Sequence, residues 1–256
     1  MSELTVVGIQ TFILIMFRLL AVFLLAPVIS VRGVPILMKI GFAFFLTMVL
    51  WANASSELVT PLSLLVFAGV ALRETFIGAI VGFVARLVTV AAQVAGSIMD
   101  LQVGFRAGSI INPLEALPSS VLEQLYFLLA SLFFLVVRGD HALLLALSNT
   151  FVVIPAGASL DMGGGAGWRL DALVGTVLVT GTSIALPVLA VNMVLDVVLA
   201  ILSRAVPQIQ VFFLGIPIKF GAGLAVLLIT VPGSFHILRQ LVGNMPQQIA
   251  WLLKAL

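Results

Sequence analysis

The sequence contains no cysteine among its 256 residues, which excludes a disulfide framework, a thiol nucleophile and a thiolate metal site. Histidine is almost as scarce. His141 and His236 lie in different segments, without the H-E-x-x-H spacing that places two imidazoles on one helix face, and both read as packed or interfacial residues. Charge is also sparse, at 9% of residues against about 25% in an ordinary soluble domain. So few charges cannot solvate a surface, and a net charge of +2 supplies no electrostatic footprint for nucleic acid.

Hydrophobic residues fill the space left by these absences, at 62% of the chain with a mean hydropathy of +1.30. The composition is that of a membrane polypeptide, and the fold class expected is all-α: a multi-helix membrane protein with long, kinked and broken helices. Residues 1–256 read as one domain. Glu3 without Lys or Arg at the start, and no small-residue cleavage site behind the first apolar run, argue against a cleaved signal peptide.

Apolar runs fall at about Val6 to Ile29, Val34 to Trp51, Pro61 to Met99, Val121 to Val137, Ala142 to Gly157, Leu173 to Leu202 and Val211 to Val231. Several approach the ~20 residues that a spanning helix needs; the run from Pro61 is about twice that, and the one after His141 is short. Turn chemistry marks the breaks: Val31 to Pro35, Asn53 to Ser56, Arg138-Gly139-Asp140, Gly163 to Gly167 and Val206-Pro207. Arg32 set against Glu57 favours an N-terminus outside and the first connection inside. The segment from Gly233 to Leu256, with Trp251 and Lys254, fits a membrane interface or a partner surface.

Six ionisable residues sit within the runs: Arg18, Arg73, Glu74, Arg86, Asp196 and Lys219. At about 2.5–3.5 kcal/mol each, six facing lipid would cost roughly 15–20 kcal/mol, above the ~5–15 kcal/mol that stabilises a typical domain. They are expected to face protein or water. Arg73 and Glu74 are neighbours about 100° apart on a helix and are expected to find separate partners.

The long run carries a polar and small-residue stripe at three- and four-residue spacing: Thr75, Gly78, Gly82, Arg86, Thr89, Gln93, Ser97 and Asp100. Gly78 and Gly82 form a small-xxx-small pair that lets helix backbones approach. Arg86, Gln93 and Asp100 fit a packing seam or a channel lining equally well. A second polar set, including Asn192, Asp196 and Ser203, follows Pro187, where a helix kink is expected.

No catalytic constellation emerges, and no metal, cofactor or enzymatic activity is expected. Gly163 to Gly165 lacks the Gly-Lys-Ser/Thr ending of a phosphate loop, and neither Gly96-Ser97 nor Gly233-Ser234 forms a G-x-S-x-G elbow. The stretch from Ala92 to Ser120, AQVAGSIMDLQVGFRAGSIINPLEALPSS, is instead a polar, glycine-rich break in an oily chain. Irregular backbone at membrane depth survives only where protein buries it or a water-filled path runs beside it. Gly104 and Gly108 permit sharp turns, Phe105, Ile110 and Ile111 can seal a constriction by dewetting, and Pro113 and Pro118 oppose helix formation.

Three stretches carry a family resemblance: FRLLAVFLLAPVISVRGVPILMKIGFAFFLT from Phe17, AGSIMDLQVGF from Ala95, and RAVPQIQVFFLGIPIKF from Arg204. In order and spacing they resemble the FliR family of type III secretion export-apparatus proteins over nearly the whole chain. The most specific part is the last, with Pro207, Gln208, Phe212, Gly215, Pro217 and Lys219. The family often has Asp-Pro where this chain has Asn112-Pro113, and Asn where it has Gln210.

The resemblance implies a subunit of the flagellar protein-export gate, assembled with FliP and FliQ, with FlhB and FlhA nearby. Its cargo would be unfolded flagellar subunits leaving the cytoplasm across the inner membrane. It also implies that the assembly is raised towards the periplasmic side, and that a loop at about residues 104–118, including Gly104, Phe105, Arg106, Gly108, Ile110, Ile111, Asn112 and Pro113, plugs the closed channel. Two other readings compete. A small-solute transporter is suggested by Pro187, Asp196 and the broken helices but lacks repeat symmetry; a non-conducting scaffold predicts the same seams and no leak when the loop is removed.

Overall fold

In a computed structural model, which describes residues 3–27, 34–51, 61–105, 120–158, 166–208 and 210–254, the protein is all-α. Seven helices are present among these residues: α1 Glu3–Leu25, α2 Ile36–Trp51, α3 Leu64–Val103, α4 Val121–Val136, α5 Gly139–Val153, α6 Ala166–Ala205 and α7 Val211–Leu253. Helix formation follows from the apolar runs, because a backbone denied water must satisfy its own N–H and C=O groups. Among the described residues, four helices are long and apolar enough to cross a membrane, giving up to five spans if the bent pair α4 and α5 makes one. Arg32 and Glu57, on which orientation rests, lie outside the described residues.

Helix length is the first departure from simple spans. α3 and α6 have 40 residues each and α7 has 43, which at ~1.5 Å per residue is about 60 Å or more. That is twice the ~30 Å of a hydrocarbon core. Each long helix therefore reaches well beyond one bilayer thickness.

α6 carries Pro187 in its interior, where the kink is expected. One sequence expectation changes here. α7 does not stop near Val231 but passes Pro232 and Gly233 to Leu253, so the appended segment continues the same helix. Buried Leu238, Val242, Met245 and Ile249 recur at helical spacing along it. That apolar stripe outweighs the local breaker chemistry.

The break at Arg138 is where the turn residues place it. α4 and α5 meet at 68°, and Arg138 adopts the left-handed conformation with φ 57° and ψ 39°. Gly139 must follow, since a Cβ there would stand 2.6 Å from the Phe134 ring.

The chain divides into two compact units, the first comprising Met1–Leu87, Phe134–Leu173 and Val242–Leu256, the second Val88–Phe133 and Val174–Leu241. In the first unit α1 and α3 approach at backbone distance. A Cβ at Gly78 would lie 2.2 Å from the Arg18 carbonyl oxygen, and one at Gly82 would lie 2.9 Å from that of Val22.

This close approach brings a buried ion pair together. Arg18 and Glu74 are both fully buried, with Arg18 Nε donating to Glu74 Oε2 at 2.6 Å and Nη2 equally near. Arg18 Nη1 donates to Thr150 Oγ1 at 3.1 Å and to the Ile154 carbonyl at 3.0 Å, and the guanidinium lies 4.2 Å from the Phe151 ring centre. The second Glu74 oxygen accepts from the Gly157 N–H at 3.2 Å and from Arg73 Nη2 at 3.0 Å.

That last contact corrects the expectation of separate partners. A helix turn separates the Cβ directions of adjacent residues, but the long Arg73 side chain returns to the oxygen that Arg18 leaves free. The cluster ties α1, α3, α5 and the turn after α5 into one electrostatic centre. At the far end of the chain, Arg169 donates to the Trp251 carbonyl and lies over the Trp251 ring at 4.8 Å, so Trp251 is held within the first unit.

Candidate functional site

The second unit contains the point where α3 gives way to the polar loop. Gly104 ends the helix with φ 92°, a conformation that costs glycine little, and its N–H still reaches the Asp100 carbonyl at 3.2 Å. Phe105 follows. The loop residues Arg106, Gly108, Ile110, Ile111, Asn112 and Pro113 lie outside the described residues, and the described chain resumes at Ser120 as α4 begins.

The two ends of this excursion are fastened together. Asp100, fully buried, accepts the Leu122 N–H at 3.2 and 3.1 Å on its two carboxylate oxygens and the Glu123 N–H at 3.5 Å. Ser120 Oγ also accepts from the Glu123 N–H, at 3.2 Å. The carboxylate at the end of one helix thus caps the start of the next, where free N–H groups and the positive end of the helix dipole favour an anion.

Glycine allows that contact. A Cβ at Gly96, one turn before Asp100, would stand 2.5 Å from the Leu122 carbonyl oxygen and from Glu123 Cα. Ser120-Val121-Leu122-Glu123 matches the S-x-x-E capping signature. The sequence reading passed over this signal, which marks the loop's downstream end.

On its other side the stem rests against the long C-terminal helices. The Phe105 ring meets that of Phe220 edge-on at 5.1 Å. A groove of about 330 Å³ is lined by the end of α3 from Leu101 to Gly104, by Asp196, Leu199, Ala200 and Ser203 of α6, and by Gly215, Ile216 and Lys219 of α7. Lys219 and Asp196 form an ion pair in its wall, with the Asp196 side chain 47% exposed. Asp196 and Lys219 therefore answer one another, rather than facing lipid alone.

Small residues again set the helix spacing. A Cβ at Gly215 would lie 3.1 Å from Leu199 Cδ1, and one at Gly223 would lie 2.5 Å from Val103 Cγ2. The fully buried Asn192 donates to the Val188 carbonyl of its own helix at 3.0 Å.

The other sequence candidates are dispersed. Pro207 and Gln208 form the exposed turn between α6 and α7, Phe212 lies on the first turn of α7, and Pro217 is exposed along it. On α3, Arg86 is exposed, Gln93 half-buried and Asp100 fully buried, while Gly78 and Gly82 contact α1. The stripe along α3 is therefore not one lining. Its glycines touch α1, its C-terminal members touch α4, and Thr75 and Ser97 bond back to their own helix.

Among the described residues, no three His, Cys, Asp or Glu side chains gather as a metal site. What converges is mechanical: a glycine-ended helix, a stapled loop base and a stem seated beside a charged groove. Over residues 9–245 the sequence matches the family described as bacterial export proteins, family 1. The chain belongs to that family.

Its relatives include the flagellar biosynthetic protein FliR of Bacillus subtilis, 29% identical over 234 residues, covering 89% of this chain and 88% of the relative. FliR of Escherichia coli is 28% identical over 217 residues, covering 85% and 82%. The secretion system apparatus protein SsaT of Salmonella typhimurium is 27% identical over 168 residues, covering 66% and 65%. Family membership thus spans both units and the loop between α3 and α4.

Proposed function

We propose that this chain is a subunit of a flagellar type III protein-export gate, assembled with FliP and FliQ, with FlhB and FlhA alongside. Residues 104–118 form a plug that closes the protein-conducting channel until an unfolded flagellar subunit arrives. The carrying observation is the stapled base, where the Asp100 carboxylate caps α4 and returns the chain to the place it left. A plug needs a fixed root and a free crown, so that it can yield without unfolding its support. Arriving cargo opens the gate by binding the open state better than the closed one.

The large apolar exposure fits assembly. Only 22% of the best spanning window in α6 and 17% of that in α7 is buried within the chain. Leu228 and Ile229 on α7 and Val179 and Val194 on α6 are exposed, leaving faces for neighbouring subunits or lipid. The three helices longer than a bilayer suit a complex raised towards the periplasmic side of the inner membrane.

The test is to express the chain with its FliP and FliQ partners in a non-motile bacterium, delete Arg106 to Asn112, and follow sensitivity to a small toxic solute. Leakage that requires the partners is the expected result. Unchanged permeability in a correctly assembled complex would remove the plug and leave a scaffold.

A further inference from the structure

The first unit contains a cavity of about 680 Å³, within the ~300–1,000 Å³ typical of ligand pockets. Its wall is apolar and aromatic, with Phe23 from α1, Phe42 and Phe45 from α2, and Phe134 at the end of α4. Two charged residues of opposite sign also line it, Lys39 and Asp140.

Lys39 is the unusual member. Its side chain is on a helix between apolar neighbours and only 8% of the residue is exposed, yet its ammonium forms no ion pair or hydrogen bond among the described residues. Its ammonium is not among the fully buried unpaired polar atoms of the described residues, so it opens onto the cavity that the residue lines. An anion in that cavity would meet it directly.

The opposite charge lies on α5. Asp140, in the first turn of that helix, supplies the negative charge that a helix N-terminus favours, and its exposed carboxylate offers a place for a cation at the cavity rim. An anion held by Lys39, a cation held by Asp140 and a long apolar wall are complementary to one kind of molecule.

We propose that this cavity holds a zwitterionic membrane phospholipid of the phosphatidylethanolamine class. Its phosphate sits at Lys39, its ammonium at Asp140, and an acyl chain lies along the phenylalanine wall. The lipid pairs with the lysine and fills the space between α1, α2, α5 and the last turn of α4. This site is separate from the plug and stands whether or not the loop closes a channel.

The test uses the chain purified within its membrane complex in mild detergent, stripped of lipid in steps, and followed by native mass spectrometry. The probes are phosphatidylethanolamine, phosphatidylglycerol and an uncharged diacylglycerol. The wild-type complex is expected to retain phosphatidylethanolamine longest. Lys39→Gln should weaken retention about tenfold or more, as expected for losing a charge-assisted hydrogen bond, and Asp140→Asn should abolish the preference over phosphatidylglycerol.

Gly41→Phe provides a variant that leaves both charges in place. Gly41 lines the cavity, and a Cβ there meets nothing within 4 Å, so the ring can enter the space without forcing the helices apart. It should displace the lipid while the complex still assembles. Equal retention of the three probes by the wild type, retention unchanged in Lys39→Gln, or crosslinks placing another subunit's helix in the cavity would each overturn the proposal.

Discussion

Replacing Glu74 with alanine should destabilise the fold by about 3–5 kcal/mol, the usual cost of removing one partner from a buried ion pair. Arg18 would then remain fully buried with no carboxylate beside it. Its contacts to Thr150, the Ile154 carbonyl and the Phe151 ring orient the guanidinium but cannot neutralise it. Glu74 also accepts the Gly157 N–H, so the turn after α5 would lose its anchor. Against a typical domain stability of about 5–15 kcal/mol, this is a large fraction.

The check is thermal unfolding in mild detergent, read as loss of the monodisperse species. The paired change Arg18→Met with Glu74→Met should recover most of the loss, because well-packed apolar residues can replace a buried pair at little cost. A wild-type transition in Glu74→Ala would show that the ion pair does not hold the first unit together.

The second large effect belongs to the loop base. Asp100→Ala removes the acceptor for the first amides of α4, and hydrogen bonds to charged groups contribute about 1.5–3 kcal/mol. Exchange of the Leu122 and Glu123 amides should accelerate about ten- to a hundredfold if local opening governs it. Asp100→Asn keeps an acceptor oxygen and should fall between. Within the assembled complex, Asp100→Ala should also raise solute leakage towards that of the loop deletion, because a plug whose root is loose cannot hold its seal. Unaltered exchange at both amides would sink the staple.

The helices and most of their breaks were legible because apolar length and turn residues are local signals. Arg138-Gly139-Asp140 names its own bend, and Val206-Pro207 its own turn. The partners of buried charges were not legible. Arg18 and Glu74 stand 56 positions apart, and Arg18 and Thr150 stand 132 apart, so periodicity could say that these residues require partners without saying which.

Local rules also failed where tertiary packing overrode them. Pro232 and Gly233 look like an end, yet the buried stripe from Leu238 to Ile249 carries α7 past them. Asp100 belonged to a polar stripe that suited a seam or a channel, and only the position of Leu122 identifies it as a helix cap. The convergence of Phe105, Asp196, Gly215 and Lys219 around the loop stem likewise depends on how α3, α6 and α7 pack. The residues were visible in the sequence, but their meeting place was not.

The absence of cysteine makes the most direct test of the plug available, since an introduced thiol would be the chain's sole thiol. Ile110→Cys would be placed in the assembled complex and paired with an export substrate that carries one cysteine and is stalled by a folded tag. Leu228→Cys, on an exposed face of α7, serves as the comparison. A plug predicts a disulfide between Ile110→Cys and the stalled cargo, with none from Leu228→Cys. A complex that exports normally yet gives no Ile110→Cys crosslink to stalled cargo would contradict the claim that this loop lies across the path.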